Sequence, residues 1–536
     1  MTKRRKRDWG TPILLTLSVH LMAFTLFINH RLFSLWEEPR KGDFVTQLGG
    51  IEGVDPNDAK EKDEGAAPGP AAEEVQPSSA SVSEMMREDD QPQPQPLPER
   101  TKPVENATQS AATDTRPLSE RLAANAGGSG SATVGQSPAT LPGGGATGSR
   151  GQSRRADGLR KHGGGSDTED AVEMGLAWLA KVQDHDGRWD SDGYMTHYLP
   201  GAPQHERMAE GVGMARNDVG ITALCLLAFT GAGHDHLEGK YAGTVKAARD
   251  WLLSRQRADD GGFGLPTDTY RPTFYGHAIA TLALCDLYML TGDEKLRTPV
   301  QRAVNYLCDC QGDGGGWDYA QRYPGDTRWN RPERDDLSIS GWAMLALTAA
   351  REAGLKVPVD SLVKLAGLMR EATRKDGEAI YADQGVREFH RGMGMLAVSN
   401  LSRRLLGEAG DSPMQTRQRE RMSATPPNWK AASELEGSNM YYWYYGSLAL
   451  MVGRDADGGE DRWRKWNIEL KKTLLPNQNK SGPRRGSFDP GGDYWAQAGG
   501  GRLYSTALCV LMLEIYYRYE PEYLRSHARE LAPLWE

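Results

Sequence analysis

The chain has 536 residues, only 38% of them hydrophobic, with 62 glycines and 30 prolines, so a folded part is diluted by segments that cannot bury a core. Its 64 basic and 72 acidic residues leave a net charge of −8, which excludes general binding to a phosphate backbone. Five sparse cysteines exclude a disulfide-stapled scaffold.

Residues 1–10 contain Lys3-Arg4-Arg5-Lys6-Arg7 and read as a cytoplasmic terminus. Residues 11–29 (TPILLTLSVHLMAFTLFIN) are mostly apolar and just long enough to cross a membrane as a helix. The basic charge before them predicts a single-pass anchor, with everything that follows outside the cytoplasm or in the periplasm. A cleaved signal peptide is the rival reading, but Asn29-His30-Arg31-Leu32-Phe33 is a poor cleavage site. His20 lies mid-span, one turn after Thr16. The pair resembles the Ser-x-x-x-His pattern in anchors of TonB-type energy transducers, which would imply a motor partner in the membrane. A neutral histidine tolerated near Ser18 is the plainer and preferred reading.

Residues 30–166 show no apolar periodicity. Segments such as EKDEGAAPGPAAEE, QPQPQPLP and LPGGGATGSRGQSRRADGLRKHGGGS predict a disordered, Pro/Gly-rich tether.

From residue 167 to 536 the text changes. Three segments superimpose: GLAWLAKVQDHDGRW (175–189), KAARDWLLSRQRADDGGF (246–263) and RAVNYLCDCQGDGGGW (302–317). In each, an aromatic residue precedes a glutamine by five positions (Trp178/Gln183, Trp251/Gln256, Tyr306/Gln311). Each glutamine precedes a Gly-x-aromatic ending: Gly187/Trp189, Gly261/Phe263 and Gly315/Trp317. Recurrence at fixed spacing marks a structural repeat. The glutamine is expected to bond backbone at the helix end, and the aromatic to plug the turn.

Between and after these segments lie nearly all-apolar runs, at 218–229, 275–290, 336–350, 389–401, 441–452 and 504–517. Helices apolar all round are buried. Residues 359–371 and 462–475 are more amphipathic and suit an outer layer. No strand alternation is evident. The pattern predicts an all-α fold, an α/α toroid of about six inner and six outer helices.

The repeats resemble the Q-W repeats of squalene–hopene cyclases and of protein prenyltransferase β subunits, over roughly 168–520. The layout also resembles bacterial, membrane-anchored members of that superfamily. A single barrel is present where the cyclases have two, so a full triterpene cyclase is not expected.

In such a toroid the N-terminal ends of the inner helices ring a cavity mouth. Candidate binding residues there are Asp218, His277, His390, Tyr441, Tyr442, Trp443 and Tyr445. The resemblance implies a comparison of Glu333-Arg334-Asp335-Asp336 with the cyclase acid motif, making Asp335 or Asp336 a candidate acid; an N-cap role is the plainer alternative. It also implies a comparison of Asp336, Ser338 and His390 with the prenyltransferase zinc ligands. Ser338 stands where a thiolate is required, so the metal site is degenerate and no cofactor is implied. Cys225, Cys285 and Cys509 fall in apolar runs and read as core, while Cys308 and Cys310 precede the Gln311 turn. The favoured function is a non-enzymatic, membrane-tethered module binding a protein, glycan or isoprenoid in its cavity. The alternative is an isoprenoid or lipid-modifying cyclase-type enzyme, an isomerase or lyase.

Overall fold

The computed structural model describes residue 150 and residues 152–211, 213–265, 273–319, 335–381, 392–430, 439–491 and 493–536. All belong to the unit Gln109–Glu536. The expected anchor at 11–29, His20, most of the tether and His390 lie outside the described residues. Among the described residues, no helix is long and apolar enough to cross a membrane.

Among the described residues, the helices of eight or more residues are α1 (Gln152–His162), α2 (Ser166–Lys181), α3 (Asp218–Gly231), α4 (Ala242–Ser254), α5 (Phe274–Thr291), α6 (Glu294–Asp309), α7 (Leu337–Glu352), α8 (Val359–Glu371), α9 (Met393–Leu405), α10 (Pro413–Ala424), α11 (Met440–Val452), α12 (Gly459–Leu474), α13 (Tyr494–Leu513) and α14 (Pro521–Arg529). From α3 to α13 the odd-numbered helices form the inner ring. Each packs on the next, and α13 returns to α3 to close the circle. The even-numbered helices α2 to α12 form the outer layer. The expected six-by-six arrangement is therefore present, and the described residues hold only isolated β-bridges.

Composition decides the layer. Every residue of α3 is buried, as its apolar circumference requires. Outer helix α6 instead buries a stripe at helical spacing, Leu296, Val300, Ala303, Val304 and Leu307, with the repeat aromatic Tyr306 beside it. Asp293 starts it by accepting the Lys295 N–H.

The repeat glutamines staple the outer layer. The side-chain amide of Gln183 donates to the Gly187 and Thr244 carbonyls. Gln256 donates to Gly261 and Pro299, and Gln311 to Gly315 and Ser361. One bond fixes its own turn and the other reaches the next outer helix. The turn glycine is required twice over: Gly315 has φ +97°, and a Cβ there would lie 2.2 Å from the Lys364 carbonyl oxygen. Gln478 makes the same pair of bonds, to Gly486 and to Ala171 on α2, which closes the outer ring.

Two features depart from the sequence reading. The folded part extends upstream of 167: α1 packs along Tyr516 and Tyr517, and Arg155 bonds Glu169 at 2.6 Å and the Tyr517 hydroxyl at 2.9 Å. The last inner helix is kinked at Gly500 and Gly501 (φ +56° at Gly501) and ends at Leu513 rather than 517. At the kink the Arg502 N–H leaves the helix ladder for the Glu210 carbonyl and the Tyr194 hydroxyl.

Candidate functional site at the mouth of the ring

The N-terminal ends of the inner helices face one end of the ring, here called the mouth. Each repeat turn helps build it. The tail of the turn after α6 accepts the Phe274 N–H through Tyr319, and the tail after α8 accepts the Leu337 N–H through Tyr381. The two tails thus fix the starts of α5 and α7 and bring their own tyrosines to the mouth, with hydroxyls 2.5 Å apart.

Ser338 is the centre of this group. Its hydroxyl donates to Asp336 Oδ1 at 2.5 Å and also pairs with the Tyr275 hydroxyl. Its carbonyl accepts from the Tyr441 hydroxyl at 2.8 Å. One turn deeper, the Tyr445 ring lies 4.7 Å from that of Tyr441, and Trp342 packs against both. Burial pushes the phenols of Tyr275, Tyr441 and Tyr445 well above their ordinary pKa, and for Tyr275 the nearby Asp336 adds to the shift. Tyr275 and Tyr441 serve as donors to the Ser338 hydroxyl and carbonyl, while the buried Tyr445 hydroxyl has no hydrogen-bond partner among the described residues.

The candidate acids are otherwise engaged. Asp336 is fully buried and caps α7, accepting the Ser338 and Ile339 N–H groups besides the Ser338 hydroxyl. Asp335 Oδ1 accepts the Gly316 N–H of the Gln311 turn. Both accept backbone N–H groups, Asp336 as the N-cap of α7 and Asp335 from the Gln311 turn. At the proposed zinc positions, Ser338 belongs to the tyrosine network, and His390 lies outside the described residues.

The other candidates separate. His277 is fully buried between layers, its Nε2 3.1 Å from the Ala303 carbonyl and its ring among Phe263, Phe274 and Tyr306. Burial pushes its pKa down to about 3, so it is a neutral core residue. Tyr442 and Trp443 face the outer layer: Tyr442 packs on Trp466 and donates to the Thr425 carbonyl, and Trp443 packs on Trp429. They do not line the mouth, because consecutive helical positions diverge by about 100°.

Asp218 does sit at the mouth. Its Oδ1 accepts from the Ser191 N–H and hydroxyl, both at 2.9 Å. Burial pushes its pKa up to about 7; Asp190 adds to this, while Ser191 and Arg188 oppose it. Asp192 is pushed up to about 6 by burial and by its hydrogen bond with Asp190. Among the described residues, Asp190, Asp192 and Asp218 form the group close enough to share a cation. Arg188 already bonds Asp190 at 3.0 Å and Asp218 at 3.3 Å.

The opposite end, the base, holds the C-terminal ends of the inner helices. There Tyr519 and Leu524 of the C-terminal segment meet Met289, Leu345, Leu401 and Leu448 around a crevice of about 30 Å³. All five cysteines are free, and Cys225, Cys285 and Cys509 are buried in inner helices.

The chain is 29% identical over 191 residues to a squalene–hopene cyclase from Zymomonas mobilis subsp. mobilis, a match that covers 35% of this chain and 27% of that relative. Shared sequence and recurring glutamine turns support a place in the terpene cyclase–prenyltransferase superfamily. The chain thus spans about a quarter of that relative's length. No protein-family profile matches the chain. Among solved structures, the type II terpene cyclase MstE from Scytonema aligns with a TM-score of 0.41 at 13% identity, over 65% of this chain and 98% of that one. A GH76 α-mannanase of Bacteroides thetaiotaomicron aligns with a TM-score of 0.44 at 12% identity, over 66% and 95%.

Sequence reasoning missed Tyr275, Tyr319 and Tyr381. A signal was available for two of them: Tyr319 lies two residues past the turn aromatic Trp317, and Tyr381 two past Ala379 at the equivalent place.

Proposed function

We propose that this protein is a membrane-tethered, extracytoplasmic binding module of the superfamily, taking its ligand at the tyrosine-lined mouth. The observation that carries this reading is the gathering of Tyr275, Tyr319, Tyr381, Tyr441 and Tyr445 around Ser338, while Asp335 and Asp336 serve as backbone acceptors. Phenolic donors beside flat aromatic faces suit a neutral glycan, whose hydroxyls accept hydrogen bonds and whose C–H faces stack on rings. Anchoring rests on residues 11–29 and their basic flank, and a motor partner would act through His20.

Titration of the purified chain with neutral oligosaccharides, followed by tryptophan fluorescence, tests this. Saturable binding is expected, weakened at least about tenfold, the equivalent of one lost hydrogen bond, by Tyr441→Phe or Tyr275→Phe. Binding indifferent to both variants would place the site elsewhere.

The likeness to squalene–hopene cyclase favours a second reading, a cyclase-type enzyme with Asp335 or Asp336 as the acid. Its signature is a cyclised isoprenoid product, detected by mass spectrometry, that Asp336→Asn abolishes.

A further inference from the structure

At the base of the ring one arginine lies where no repeat element supplies it. Arg150 comes from the Gly-Ser-rich stretch Gly148-Ser149-Arg150-Gly151. Its side chain is 1% exposed. The guanidinium meets Asp286 fork to fork, Nη1 to Oδ2 and Nη2 to Oδ1, both at 2.8 Å. Nη1 also donates to the Thr230 carbonyl at 2.9 Å, and Nε to the Arg518 carbonyl at 2.8 Å. Tyr519 lies beneath, its ring centre 5.4 Å from the guanidinium carbon. The Thr230 hydroxyl braces Asp286 Oδ2 at 2.5 Å.

The groups that hold Arg150 come from α3, α5 and the segment after α13. Those elements are placed by the ring itself, so the cradle is built without the tether. Asp286 interrupts the otherwise apolar run YGHAIATLALCDLYML, and it is fully buried. A buried carboxylate on an inner helix is costly unless a cation meets it, and a planar fork meets it best.

We propose that the base of the ring is a guanidinium-binding site, selective for an arginine side chain, and that Arg150 is its internal ligand. The tether thereby ends in a docked arginine at the face opposite the mouth. Arg150 holds Asp286 well below where burial alone would put it, consistent with an ion pair that stays charged.

The test uses the full chain. Arg150→Ala should melt on the order of 5 °C lower than wild type. Millimolar methylguanidinium should restore part of that loss saturably, and methylammonium or sodium chloride at equal concentration should not. Wild type should gain nothing, because its site is filled, and the Arg150→Ala/Asp286→Asn double variant should gain nothing, because its site is gone. Absence of a guanidinium-selective gain in Arg150→Ala, or its persistence in the double variant, overturns the proposal. If Arg150→Ala does not fold, tryptic cleavage after Arg150 is compared between wild type and Asp286→Asn. Release of Arg150 should speed that cut at least about a hundredfold, as losing one partner of a buried ion pair implies; an equal rate overturns the proposal.

Discussion

The two ends of the ring are built from different chemistry. At the base, charge meets charge: Arg150 locks onto Asp286, and the C-terminal segment seals the inner helices with Tyr519, Leu524 and Trp535, whose indole donates to the Leu406 carbonyl. At the mouth, tyrosine hydroxyls surround Ser338, Asp336 caps α7, and the half-buried Arg188 is shared between Asp190 and Asp218. Buried ion pairs hold a fixed geometry and are expensive to open, whereas phenols can exchange one partner for another at little cost. One end is closed and the other equipped to receive.

That contrast ranks the effects of substitution. Asp286→Ala removes one partner of the buried pair and leaves Arg150 without its anion, so a loss of about 3–5 kcal/mol is expected in a thermal or urea melt. A loss below that of the Asp336 cap would break the contrast. Next comes the staple that closes the outer ring: Gln478→Ala should cost about 1–2 kcal/mol, matching Gln311→Ala, since both amides bridge a turn to the next outer helix. Asp336→Ala at the mouth should cost about 1 kcal/mol, the usual value of an N-cap.

The last effect is a dependence on pH rather than a fixed loss. Asp218 has its folded pKa raised to about 7, above its unfolded value, so the fold binds that proton more tightly than the unfolded chain does. Its contribution is present at low pH and is lost as pH rises from about 4 toward 7. Asp218→Asn should therefore flatten the stability profile across that window relative to wild type. An unchanged difference profile between pH 4 and 7 would show that the Ser191 and Arg188 contacts already hold the carboxylate ionised.

Much of the ring was legible in the sequence, because burial on all sides leaves nearly unbroken apolar runs. The positions of α3, α5, α7 and α11 follow directly from such runs. The Gln311 turn was legible because its spacing recurs. Gln478 was not, since eight residues rather than four or five separate it from its glycine. The start of α13 was hidden by Gly500 and Gly501, which break the helical pattern that they sit in. The site was less legible. Tyr441 and Tyr445 could be singled out, but Tyr275, Tyr319 and Tyr381 converge on them only through the closure of the ring. His277 looked like a mouth residue because it opens an inner helix, yet helical phase turns it toward Ala303 on α6. Arg150 sits in a stretch whose composition reads as tether, and nothing local marks it; its partner lies 136 residues away.

Hydrogen–deuterium exchange of the intact chain, with and without a bound oligosaccharide, tests the division between the two ends most directly. Ligand-dependent protection confined to the starts of α5, α7 and α11, around Tyr275, Ser338 and Tyr441, is the expected result. Protection appearing instead around Asp286 and residues 515–524, with the mouth unchanged, would contradict it.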